Sequence, residues 1–142
     1  MYDYEEQNAR IVKILGGSEV PQVTVENLST YISYLNKNMD IPCDLTGSED
    51  FPWEEYYVFG PGCQIEYEEK KKTQPSSEDV YTFLSFQEDE VNDFYGIMVN
   101  VRRKKDSRKF TLPLDYLKST DADSKNFQLL QDYSVWFVNN RE

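Results

Sequence analysis

Apolar residues recur along this chain with two different periods, and the change of period divides it. Ile11, Ile14 and Leu15 mark one face of a short helix over residues 4–15, closed by Gly16 and Gly17. After a linker holding Pro21, Thr24 is a good N-cap for a second helix. In it Leu28, Tyr31, Ile32 and Leu35 recur at i, i+3, i+4 and i+7, ending near Asn38 ahead of Pro42. From residue 80 the period falls to two. Residues 80–86 read as a strand, and Tyr95, Ile97, Val99 and Val101 alternate with polar neighbours in a second. Residues 109–112 make a third. Turns at 88–93 and 104–108 would join them as a meander, with Asn92 a natural left-handed residue in the first. Residues 113–117 suggest one helical turn. Asp123 can cap a last helix through Leu129, Leu130, Tyr133, Trp136 and Phe137, apolar enough to lie in or across the core.

Residues 41–79 show neither period clearly. Pro42, Gly47 and Pro52 interrupt them, Tyr56 to Phe59 reads as a strand closed by Gly60, Pro61 and Gly62, and 64–69 as another short strand. Residues 70–79 form a polar loop, mobile by composition. The predicted fold is therefore α/β in the α+β sense, a compact sandwich of an antiparallel sheet with helices packed against it. It is expected to be one domain over residues 1–142, with a helical part to 39 and the sheet and C-terminal helix from 40.

Charge changes this picture more than composition does. The chain carries a net −11, and all of it lies in residues 1–69, which hold 14 acids and 3 bases; residues 70–142 hold 12 of each. Aromatics make up 15% of the chain, which argues against a disordered acidic tail. No apolar run approaches the ~18 residues of a membrane span. The acidic N-terminus lacks the apolar region of a secretory signal, and Cys43 and Cys63 read as thiols in a reducing compartment, so a cytoplasmic location is expected.

The absence of histidine removes Ser-His and Cys-His nucleophiles, imidazole acid/base chemistry and the usual zinc sites. The acidic balance argues against nucleic acid as a partner, since binding its backbone needs clustered bases. Arg102, Arg103, Lys104, Lys105, Arg108 and Lys109, interrupted by Asp106, read as the solvated tip of a hairpin.

Two acidic constellations are candidate metal ligands. Asp50, Glu54 and Glu55 flank the apolar plug of Phe51, Pro52 and Trp53, and Glu88, Asp89, Glu90 and Asp93 crowd the first hairpin turn. Concentrated carboxylates repel one another unless a cation or water satisfies them, and Ca²⁺, which takes six to eight oxygen ligands, fits best. Glu54 and Glu55, being adjacent, cannot both reach one ion. Asp121, Asp123 and Asp132 mimic the spacing of an EF-hand loop, but Lys125 and Asn126 break it, and helix capping explains Asp123 and Ser124 better. Glu54 or Glu55 with Asp89 or Asp93 could in principle act as acid and base. No phosphate loop, nucleophile elbow or pocket signature accompanies them, and an enzyme is not expected.

The runs Ile97–Arg102, Phe110–Leu117 and Asp132–Trp136, with Asp121 and Asp123 between them and residues 41–44 near the start, resemble the small acidic calcium-binding proteins first described in cyanobacteria. Extra N-terminal helical sequence and residues 50–57 depart from that pattern. The resemblance implies an α/β sandwich binding Ca²⁺ at an acidic groove as a buffer or sensor. The alternative is a metal-independent interaction module whose acidic face docks a basic protein partner. Calcium binding through the two loops predicts that Asp89→Asn with Asp93→Asn weakens it greatly while the fold survives, as read by Ca²⁺-dependent thermal unfolding.

Overall fold

The computed structural model describes residues 3–141, with the side chain of Glu90 outside that set. In chain order it runs α1 (Tyr4–Leu15), α2 (Val25–Asn38), β1 (Asp44–Gly47), α3 (Pro52–Val58), α4 (Gln64–Lys70), β2 (Val80–Asn92), β3 (Gly96–Arg103), β4 (Lys109–Pro113), a 3-10 turn (Leu114–Tyr116), β5 (Leu117–Ser119) and α5 (Lys125–Asn139). Local chemistry sets the longer helices. Asp3 accepts from the N–H groups of Glu5 and Glu6, and Thr24 from Asn27. At α5 the N-cap is Ser124, one residue beyond the expected Asp123, whose N–H instead donates to Asp121 in the preceding turn.

The sheet is antiparallel throughout, in the order β4-β3-β2-β1-β5. The meander therefore supplies three adjacent strands, and β1 and β5 add the other edge. Along β3, Ile97, Val99 and Val101 turn inward by simple alternation. In β2 a register shift between Phe83 and Ser85 lets Tyr81, Phe83 and Phe86 all be buried while Leu84 stays exposed. Strand β2 also runs through residues 88–92, which were expected to be turn. The turn proper is residues 93–95, where the Asn92 carboxamide accepts from the N–H groups of Phe94 and Tyr95. The left-handed residue there is Gly96, at φ +70, and not Asn92.

Helices α2 and α5 pack on the sheet, and α1 packs on both of them. Their shared core centres on Tyr31, whose ring stacks on Trp136 and meets Tyr133 edge-on, each at 5.3 Å. Polar atoms brace it. Arg10 forks onto buried Asp132 at 2.7 and 2.9 Å, Trp136 donates to the Pro21 carbonyl, and the Ile97 N–H donates to the Tyr133 hydroxyl at 2.8 Å. Among the described residues no helix is long and apolar enough to cross a membrane.

Residues 56–58 and 64–69 are helical, with Phe59 the C-cap of α3, and none of them is strand. Pro52 presets φ at the first position of α3, and the Glu54 carboxylate returns to the Phe51 N–H. With seven residues each, α3 and α4 are too short to show a period of 3.6, and their Tyr, Val and Phe mimic strand composition. Arg103 is a second correction. It is fully buried, on the inward register of β3, and leaves only its neighbours at the solvated tip. Its guanidinium donates to the carbonyls of Lys71, Lys72 and Gln74 and to the carboxylates of Asp79 and Asp106, at 2.7–3.1 Å. The loop after α4, mobile by composition, is thereby tied to the sheet. Arg103→Met should cost about 3–5 kcal/mol in urea unfolding, because it leaves three carbonyls without their donor and Asp79 and Asp106 with only Lys105 and Arg108 as cations among the described residues. Arg103→Lys should recover only part, since an ammonium cannot fork.

Candidate metal centre

The acids predicted as ligands fall into three environments. Glu54 is fully buried at the first turn of α3. Its Oε1 accepts from the N–H groups of Phe51 (3.0 Å) and Ser77 (2.8 Å), and its Oε2 from the hydroxyls of Tyr67 and Ser76 (both 2.8 Å). Burial alone would raise its pKa. The four donors outweigh that and hold the carboxyl below its ordinary value, while the Tyr67 hydroxyl is pushed up to about 12 by burial and by the carboxylate it serves. Both oxygens are occupied, so Glu54 binds this part of the chain together.

Asp50 and Glu55 lie at the rim, half-buried and exposed, and no ion pair of either is seen among the described residues. Glu88 and Asp89 are exposed on successive positions of β2, which alternate between its two faces; Asp93 is exposed in the turn beyond. The Glu90 side chain lies outside the described residues. Among the described residues no three acids or cysteines converge as a metal site.

One carboxylate missed by the sequence reading has no other use. Asp115, in the 3-10 turn, buries its Oδ1 with no hydrogen-bond partner among the described residues. Burial pushes its pKa above the usual carboxylate range; its own N–H and the charge of Arg141 draw it down, and Glu49 pushes it further up. The first acidic loop lies along this turn. The Ser48 N–H donates to the Tyr116 carbonyl at 2.9 Å, the Phe51 ring packs on Tyr116 at 5.6 Å, and the charges of Asp115 and Glu55 both reach Tyr116. From the other side comes Arg141, which donates to the Phe94 carbonyl and lines a hollow with Asp93 and Phe94. The first acidic loop and Arg141 thus lie about a half-buried carboxylate, one of whose oxygens is buried. An isolated acid between Leu114 and Tyr116 gives no sequence signal of this, because the charges that reach it, Glu49 and Arg141, are far away along the chain.

A groove of about 510 Å³ between β1, β5 and the start of α5 also holds three acids, Asp40, Asp44 and Asp121. Two are committed elsewhere: Asp44 pairs with Lys104 at 2.8 Å, and Asp121 accepts from the Asp123 N–H. The Cys43 thiol beside them is pushed up to about 11 by burial and by Asp44, and stays protonated.

Residues 61–137 match the model of the CcbP family, described as calcium binding. A search of curated proteins gives no match. Among solved structures the fold is similar to that of Anabaena CcbP, at a TM-score of 0.59 and 15% identity, covering 99% of this chain and 94% of that one. It is equally similar to a calcium binding protein in its calcium-binding form, at a TM-score of 0.60 and 15% identity over 97% and 94% of the two chains.

Glu54→Ala should destabilise the protein by about 3–5 kcal/mol, leaving four buried donors unpaired, and Glu54→Gln by about 1–2 kcal/mol, because the two hydroxyls can reorient. The pH dependence has a definite sign. A carboxyl lowered on folding stabilises fully above its unfolded pKa of about 4.3, and that contribution is lost as pH falls through the folded value. Chemical denaturation across pH 3–6 should show this acid-side slope in the wild type and lose it in Glu54→Gln.

Proposed function

Because the chain belongs to the calcium-binding CcbP family, we propose that it binds Ca²⁺ at the end of the sheet where Asp115 sits, and that it works as a calcium sensor. The observation that carries this reading is the buried, unpartnered Oδ1 of Asp115. A carboxylate oxygen in that position is costly when ionised and gains most from a cation.

The donor chemistry fits a hard ion: Asp115, with Glu49, Asp50 and Glu55 on one flanking loop and Asp93 on the other, would hold it, and backbone carbonyls and water would complete six to eight oxygens. Bound there, calcium supplies positive charge and nothing else. Glu88 and Asp89, spread along both faces of β2, add to the negative field that concentrates cations at this end. Since the acids do not converge in the described structure, loading would require the two loops to close on Asp115. That rearrangement is what a sensor needs and a passive store does not. Arg141, already within electrostatic reach of Asp115, acts as a resident counter-charge that calcium must outcompete.

Metal-stripped protein in ~150 mM salt should show a saturable rise in melting temperature with Ca²⁺, worth ~2.7 kcal/mol at ~100 times its Kd, and little with equal Mg²⁺. Asp115→Asn should lose this response at least tenfold. Its calcium-free stability should equal or exceed that of the wild type at pH 7, because a carboxyl raised on folding stabilises only below its unfolded pKa and costs stability once ionised. Undiminished calcium affinity in Asp115→Asn would place the ion elsewhere.

A further inference from the structure

We infer that the outer face of α3 and α4 is a docking surface for a basic, amphipathic helical segment of another protein. The inner face of this helical pair is already filled by its own aromatics: Tyr57 and Tyr67 stack at 5.3 Å, and Trp53 meets both edge-on. Outside it, large apolar residues stand exposed among charged ones. Phe59 is 79% exposed and Ile65 78%, and Tyr56 and Val58 are exposed as well. Tyr56 and Phe59 are three residues apart and share a side of α3 and its cap. The turn between the helices folds back on that side: the Gly62 N–H donates to the Tyr56 carbonyl, and a side chain at Gly62 would collide with the rings of Tyr56 and Tyr57. Four large apolar residues exposed within ten positions, in a chain this polar, are more than folding requires.

Charge selects the occupant. From Asp40 to Glu69 the chain holds nine acids and no base. On α4, Glu66, Glu68 and Glu69 are balanced by Lys70, Lys71 and Lys72, whereas no ion pair of Glu49, Asp50 or Glu55 is seen among the described residues. Exposed apolar residues on an acid-rich stretch, with Glu55 unneutralised beside Tyr56, complement a helix with large apolar anchors and Lys/Arg flanks and repel an anionic lipid surface.

The test uses the full chain in chelator, apart from any calcium effect. The probe is a fluorescent 20-residue synthetic peptide with a Leu/Trp stripe on a Lys/Arg background, set against a peptide of the same composition scrambled to destroy the stripe. Saturable anisotropy binding of the first, at least tenfold tighter than of the second, is expected. Phe59→Ser with Ile65→Ser should weaken it at least tenfold with an unchanged melting curve. Equal binding of both peptides would reduce the effect to net charge and overturn the proposal, as would undiminished binding by the double variant. Micromolar self-association that the double variant abolishes would make a second copy the occupant, and would equally overturn it.

Discussion

Four hydrogen bonds converging on one ionised carboxylate, Glu54, hold the middle of this molecule together. In residues 51–79 the aromatic packing of Phe51, Trp53, Tyr57 and Tyr67 is joined by polar satisfaction. Glu54 gathers Phe51, Tyr67, Ser76 and Ser77, so the start of α3, the middle of α4 and the approach to β2 share one anion. Arg103 does the converse, gathering carbonyls and carboxylates around one buried cation. Each ion is affordable in the interior only because every one of its partners is present. The segment is therefore all-or-none: it cannot loosen at one end without exposing a charge at the other.

The legibility of the sequence follows the same division. Where burial is apolar, periodicity reports it, and α1, α2, α5 and the β2-β3-β4 meander are all visible in the spacing of residues such as Leu28, Tyr31 and Val99. Where burial is polar, periodicity is silent. Glu54 and Arg103 look like surface residues because most of the donors and acceptors around them come from 13–32 residues away along the chain. The helices α3 and α4 were hidden by length and by aromatic composition. The extent of β2 was hidden by its acids, which read as turn.

The candidate centre was legible as a neighbourhood and not as a residue. Both acidic loops were visible as charge. Asp115 is a single acid amid apolar neighbours in the sequence, and its Oδ1 is buried without a hydrogen-bond partner among the described residues. Clusters of acids at the surface are satisfied by water, whereas a carboxylate oxygen buried without a donor gains from protonation or a cation. Density of charge along the chain is thus a poor guide to where a cation is needed, and burial without a donor is a better one.

The two tryptophans divide between the two regimes. Trp136 sits in the apolar core, its indole N–H on the Pro21 carbonyl, while Trp53 sits in the polar-anchored segment, its N–H on the Pro75 carbonyl. Nature has in effect given each half its own optical label. Emission from Trp53 follows the α3–α4 segment and emission from Trp136 follows the sheet and its helices, so with one tryptophan replaced by phenylalanine, ordinary fluorescence can watch either half of the molecule alone.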